Sequence, residues 1–497
     1  MRKIFHTNRS CQSQYFTITI QSAVLMFFVV SIPIFAQKST HATLRGTPVN
    51  SRTAQLPPQA LALVKMEHIP FLTWAIVTRE GLEVGHLGND ETAGRVSGSG
   101  AMFHVASISK PVVAASVLLL VQEKKLPLSA YAADYLPEFP VKDARWKKVT
   151  IEHLLSQTSG LRDLDDYDWV KPSKKDWSSI VPRLLQDGAI TFLADPGEKF
   201  DYANLNYELL NLVIARVSGQ SFGEFATQNI LAPNGAPSAR MSCYDVPKEE
   251  VAPGYVFSST GELMRSLYVP FSKSHAGSSG LCITAPELAT WGLNIYDCAR
   301  PGAKLSCETV ATMREVRKGT YALGWFVDKL EGVPTVEHNG SDVGYNGALI
   351  VSPELGVSVA VLTNYEFSSA DDIASMILAH RIHKTFKAKN SLPPRQSWSE
   401  YAGFYKSEKK EDCVEVKNSP GGLEGFYQEK EFPYPVTHFR FTPQTNWNDS
   451  YFISVYHKNM VWFVKPGSDP KKATMALERE RYQRTLTPET DCPGMFR

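Results

Sequence analysis

The sequence predicts an α/β (α+β) fold: a sheet domain flanked by helices, interrupted by an inserted helical domain and followed by a small β-barrel-like C-terminal domain. Three observations predict it. Strand patterns occupy residues 71–105 and return only after residue 321, with helical periodicity between them. A helix that is apolar on nearly every side runs from Val112 to Val121, as befits a helix buried within a domain and too short to span a bilayer. Beyond Pro393-Pro394 the pattern changes to short aromatic runs separated by turn residues.

The chain opens on Met1-Arg2-Lys3, with Arg9 further on, then an apolar run from Ala23 to Phe35 and Ala36-Gln37. This reads as a secretory signal over residues 1–36, cut after Ala36, and so as a secreted or periplasmic protein; the alternative is an uncleaved anchor, the one case in which a membrane is a partner. Residues 37–56, rich in Ser, Thr and Arg, read as a tether. A catalytic domain is expected over 57–386, with its helical insert at about 126–295, then a linker at 387–397 and a β-rich domain at 398–497.

Within the sheet domain a helix is expected from Pro58 to about Glu67. Strands Phe71–Val77 and Leu82–Val84 follow, joined at Glu80-Gly81 and expected to pair with a strand near Met102–Val105. The insert should hold helices at Ile151–Ser156, Ile180–Gln186, Leu205–Val217, Phe222–Leu231 and Pro286–Tyr296. Residues 161–178 should form a loop over a cleft. Strands are then expected at Tyr321–Phe326, Thr335–Glu337, Ala348–Val351 and Val357–Thr363, with a turn at Pro353–Gly356 and a closing helix over Ser369–Phe386.

A net charge of +1 argues against nucleic acid as a partner. Of seven cysteines, Cys11 lies in the signal, which leaves six in the mature chain. An even number in an exported protein implies disulfides, with 15 connectivities open. Separation along the chain favours Cys298 with Cys307 and Cys413 with Cys492, and Cys243 then pairs with Cys282. No Cys or His cluster has metal-ligand spacing, so no metal or other cofactor is expected.

The chemistry centres on Ser107 and Lys110. Three residues apart at the start of the apolar helix, they emerge on one face, a nucleophile beside its base. A buried ammonium is destabilised, which lets a lysine take a serine proton. The same spacing at Ser407–Lys410 and Ser468–Lys471 has no apolar helix behind it. Tyr202-Ala203-Asn204, the one Tyr-x-Asn in the chain, follows a Pro196-Gly197 turn and precedes a helix. Its phenol can relay the serine proton and its amide can bind a substrate carbonyl. His338-Asn339-Gly340 combines a preceding strand with a glycine-rich stretch to Gly347 that admits substrate backbone; His-x-Gly at His86 and His275 lacks that combination.

Taken jointly, Phe103-His-Val-Ala-Ser-Ile-Ser-Lys110, His153-Leu-Leu-Ser-Gln-Thr-Ser-Gly160, Pro196-Gly-Glu-Lys-Phe-Asp-Tyr-Ala-Asn204 and His338-Asn-Gly340 resemble the motifs of the serine β-lactamase and D-alanyl-D-alanine carboxypeptidase family, in its class C-like branch. The resemblance covers about residues 60–385. It implies a β-lactamase/transpeptidase-like fold and an acyl-serine mechanism, with Ser107 as nucleophile, Lys110 and Tyr202 sharing the general-base work, and Asn204 orienting the substrate amide. It also implies an oxyanion hole made by the backbone N–H groups of Ser107 and Ser341. Class C β-lactamases carry Lys-Thr-Gly where this chain has His338-Asn339-Gly340. The histidine form is similar to esterases and D-aminopeptidases, so the expected partner is a small ester or a D-amino-acid peptide, peptidoglycan fragments included. The competing readings are a penicillin-binding receptor or a true class C-like β-lactamase, and a non-catalytic scaffold that binds cell wall or lipid.

Overall fold

The structure is a computed structural model. It describes residues 52–88, 98–164, 186, 188–257, 262–266 and 276–382, together with strand segments between 402 and 485. The expected signal, tether and linker, the Ile180–Gln186 helix apart from Gln186, and residues 165–178 of the expected cleft loop lie outside the described residues.

Among the described residues, eleven strands precede residue 364: β1 (Arg52–Thr53), β2 (Phe71–Thr78), β3 (Gly81–Gly88), β4 (Met102–His104), β5 (Tyr255–Phe257), β6 (Leu263–Arg265), β7 (Cys282–Thr284), β8 (Phe326–Leu330), β9 (Val333–Asp342), β10 (Tyr345–Ser352) and β11 (Val357–Thr363). Seven of them form the main sheet in the order β1-β3-β2-β11-β10-β9-β8, so the two ends of the domain's sequence meet where β2 pairs with β11. The sheet is buried on both faces. On one, Leu72, Trp74, Ile76 and Val361 pack with Val64 and with Ile373 and Ile377 of the Ala370–Arg381 helix; on the other, Ala75, Ala360 and Leu362 join the core around Val112–Leu120. Such two-sided burial gives β2 and β11 near-continuous apolar sequences.

Three expectations are corrected. The β2–β3 hairpin does not pair with the strand at Met102: β4 pairs with β7, and β2 takes β11 as its second neighbour. Apolar on both faces, β2 needs a partner on each edge, which a three-residue strand cannot supply. The strand placed at Tyr321–Phe326 instead begins at Phe326 and runs to Leu330. Gly324 has φ +82°, and a Cβ on it would lie 2.5 Å from the Ala114 Cβ, so the chain bends there against the Ser109–Gln122 helix before it can extend. The Ala285–Tyr296 helix, assigned to the insert, is seated on the main sheet: a Cβ on Gly292 would lie 2.8 Å from a methyl of Leu349 on β10.

The helical elements at Ile151–Leu155, Asn204–Ser218 and Phe222–Ala226 fall where the periodicity places them. In the C-terminal region eight antiparallel strands between Gly403 and Thr485 form a separate sheet.

Cys243–Cys282 and Cys298–Cys307 are disulfides, as the spacing suggests. Cys413 is also disulfide-bonded; Cys492 lies outside the described residues. The first bridge anchors β7, and through it β4, the strand that leads into Ser107. Replacing Cys243 and Cys282 together by alanine is expected to lower unfolding stability by about 2–4 kcal/mol, read as the free energy extrapolated to water, with a steeper denaturant slope as the unfolded chain loses its cross-link.

Candidate active site

Ser107 sits in a 3₁₀ turn, Ala106–Ile108, that runs directly into the Ser109–Gln122 helix. In a 3₁₀ turn residues three apart come into line, which brings Ser107 and Lys110 together more directly than the single helix the spacing predicts. The turn is held open at its start. Ala106 has φ +44°, a left-handed conformation for a residue with a Cβ. The Ser109 hydroxyl donates to the Ala106 carbonyl at 2.6 Å and accepts from the Leu281 N–H at 2.9 Å, so β7 and the turn fix each other.

Lys110 is fully buried, and its Nζ meets three acceptors: Ser107 Oγ at 2.9 Å, Asn204 Oδ1 at 2.8 Å and the Ser278 carbonyl at 3.0 Å. An ammonium donates to all three. A neutral amine keeps its two N–H bonds on the amide and carbonyl oxygens, which can only accept, and turns its lone pair to the Ser107 hydroxyl. The nitrogen also lies 4.7 Å from the centre of the Tyr202 ring.

Tyr202 hydrogen-bonds Ser107. Burial holds its phenol well above the ordinary range; Tyr321 adds to this and the bond to Ser107 partly offsets it. Tyr202 therefore carries its proton in the resting enzyme.

Asn204 begins the Asn204–Ser218 helix. Its orientation is fixed chemically, because Oδ1 faces a nitrogen that donates and Nδ2 faces the Asp163 carboxylate at 3.3 Å. The other Asp163 oxygen accepts from the Leu205 N–H at 3.0 Å, one of the helix's unpaired amides.

The 153–160 motif braces this segment. Gln157, at φ +59°, accepts from the Ala203 N–H through Oε1 at 3.1 Å and from the Asp201 N–H through its own carbonyl at 2.8 Å. The Thr158 carbonyl takes the Gly197 N–H at 2.7 Å. Tyr202 and Asn204 are thereby carried on a scaffold bonded at both ends.

From the sheet side, β8 pairs with Val333–Glu337 of β9, so among the described residues His338–Asp342 extend past the last β8 partner. There the segment bearing Ser107 crosses β9 at Gly340: a Cβ on that glycine would lie 2.1 Å from the Val105 carbonyl oxygen and 2.9 Å from the Ser107 nitrogen. Ser341 is next along the strand and donates its hydroxyl to the Glu366 carbonyl at 3.3 Å. His104 and Asp342, 3.1 Å apart and buried, tie β4 to β9 beside the crossing.

His338 is buried, with Nδ1 2.7 Å from the Asn339 carbonyl and Nε2 3.5 Å from the Tyr321 hydroxyl. A carbonyl can only accept, so Nδ1 carries a proton, while Nε2 faces a hydroxyl that can either donate or accept. Phe326, Tyr321 and Tyr202 surround the ring at 5.4, 6.3 and 6.5 Å between centroids.

All seven residues singled out in the sequence thus take part in this one region. Sequence reasoning missed Ser278, Gln157, Asp163 and Tyr321. Gln157 lies within a quoted motif, whereas Ser278 contributes a backbone carbonyl and has no side-chain signature.

The β-lactamase family model matches residues 62–381, which include every residue just described. The chain belongs to the β-lactamase family. It is 24% identical over 293 residues to protein flp of Staphylococcus aureus, an alignment that spans 57% of each chain, so the match covers little more than half of that relative's length. A solved penicillin-binding protein homologue from Pyrococcus abyssi superposes with a TM-score of 0.59 at 22% identity, over 85% of this chain and 97% of that one. D-amino acid amidase from Ochrobactrum anthropi, complexed with L-phenylalanine amide, superposes with a TM-score of 0.55 at 16% identity, over 65% and 96%. These solved structures share with the chain a β-lactamase/transpeptidase-like fold.

Gly340→Ala is expected to reduce acylation at least a hundredfold while the protein still folds, because the added carbon must displace the Ser107 segment. Stopped-flow acylation rates beside a thermal melt check this.

Proposed function

We propose that this protein is a serine hydrolase that cleaves an ester or amide lacking a carboxylate, a D-amino-acid amide or a short-chain ester, through an acyl-enzyme on Ser107. The observation that carries the proposal is the placement of Lys110 Nζ against Ser107 Oγ, with its other bonds taken by Asn204 and Ser278. As Ser107 Oγ attacks the carbonyl carbon, its proton passes to neutral Lys110 and the carbonyl's π pair moves to oxygen, facing the N–H groups of Ser107 and Ser341. When the intermediate collapses, Tyr202 gives its proton to the leaving nitrogen or oxygen and is reprotonated from Lys110. Water then repeats the sequence on the acyl-serine.

The substrate class rests on His338. Where a lysine would face a substrate carboxylate with a permanent charge, this chain presents an imidazole, which holds no permanent charge, among aromatic rings. The two disulfides support an oxidising compartment outside the cytoplasm.

Ser107→Ala is expected to abolish both turnover and covalent labelling by a fluorophosphonate; undiminished labelling of the variant would refute the nucleophile. For specificity, kcat/KM is compared for a p-nitrophenyl ester and a cephalosporin at pH 7.5. The wild type should favour the ester, and His338→Lys should narrow the ratio at least about tenfold, the worth of one charge-assisted hydrogen bond. A wild type that prefers the cephalosporin would sink the assignment.

A further inference from the structure

Next to Lys110 lies a carboxyl group that these steps leave unused. Glu208 sits on the Asn204–Ser218 helix, one turn beyond Asn204, and is 1% exposed. Its Oε1 accepts the Ser278 N–H at 2.8 Å, and the carbonyl of the same Ser278 accepts from Lys110 Nζ at 3.0 Å. Glu208 thus grips the residue that grips the base. Its Oε2 is buried with no hydrogen-bond partner among the described residues. A side chain serving only to fill this space would be apolar, since burying a half-satisfied carboxyl carries a desolvation cost.

The surroundings define which charges act. Lys110 is faced by Ser107 from the 3₁₀ turn, by Tyr202, Asn204 and Tyr207 from the neighbouring segment and helix, and by Ser278 from the Ala276–Ser279 turn, with Asp163 behind Asn204. Glu208 is faced by Lys110 from the nucleophile helix and by Ser278 and Gly277 from that turn. Asn211, on its own helix, lies against Gly277.

We propose that Glu208 is the positioning residue of the base: it fixes the Ser278 carbonyl that receives Lys110, and its negative charge stabilises the ammonium formed when Ser107 gives up its proton. The inference rests on the acyl-serine reading. In that step the Ser107 O–H bond breaks, its electron pair forms the bond to the carbonyl carbon and the proton goes to Nζ, while Glu208 gains and loses nothing. It stands to the lysine as a carboxylate stands to the histidine of a serine–histidine–aspartate triad.

Burial pushes the Glu208 carboxyl up to about 7, against the pull of Ser278, Lys110 and the Gly277 N–H. Its folded value therefore lies above its ordinary 4.5, so the native state binds more protons between the two, and this residue's contribution to stability falls as pH rises through that window.

The test uses the full-length protein as wild type, Glu208→Gln and Glu208→Met, with fluorophosphonate labelling of Ser107 and kcat/KM for p-nitrophenyl acetate measured from pH 5 to 10. In both variants the acid limb should move down by roughly one pH unit, because the ammonium loses its counter-charge, and the plateau should fall about tenfold with the weaker base. Melting temperatures should shift in the variants' favour between pH 5 and pH 8. The methionine variant brings no group that must be desolvated, so the measurement does not depend on glutamine being accommodated. An acid limb that stays at its wild-type position in a cooperatively melting variant overturns the inference. A wild type that takes no label on Ser107 at any pH overturns the acyl-serine reading itself.

Discussion

A buried lysine nitrogen with three acceptors is the constraint on which the rest of the site depends. An ammonium taken out of water costs several kcal/mol unless its donors are met, and here they are met by a serine, an amide and a backbone carbonyl from three separate segments. Each acceptor fixes one neighbour. Asn204 is turned by Asp163, Ser278 is held by Glu208, and Ser107 is held by a strained turn that Ser109 pins to β7. The catalytic geometry is thus a by-product of satisfying one charge.

The opposite wall of the site is largely aromatic. His338 is stacked into an aromatic group with Tyr321, Phe326 and Tyr202, and its two nitrogens face a carbonyl and a phenol. The tyrosines are held protonated by burial.

Much of this was legible in the sequence. The apolar run behind Ser107, the isolated Tyr202-Ala203-Asn204 and the glycine after His338 mark residues that the fold brings together from far apart. What was not legible follows from physics that side-chain patterns do not carry. The pairing of β2 with β11 is a long-range choice between equally apolar strands. The displaced start of β8 depends on Gly324 meeting Ala114, a contact across the fold. Ser278 acts through a backbone carbonyl, and Gln157 through a left-handed backbone that no residue-type rule assigns to glutamine. Glu208 was visible only as one polar residue in a buried helix.

The partners of Lys110 lie 94 and 168 residues along the chain. No local segment contains all the partners of the base. Long loops must close before the three acceptors converge, and contacts of such sequence separation are slow to form. A nascent or partly folded chain therefore carries an exposed serine beside an ordinary solvated lysine, chemically inert. Reactivity is acquired only when the last of these distant segments docks, so the completed fold is itself the switch that turns the nucleophile on.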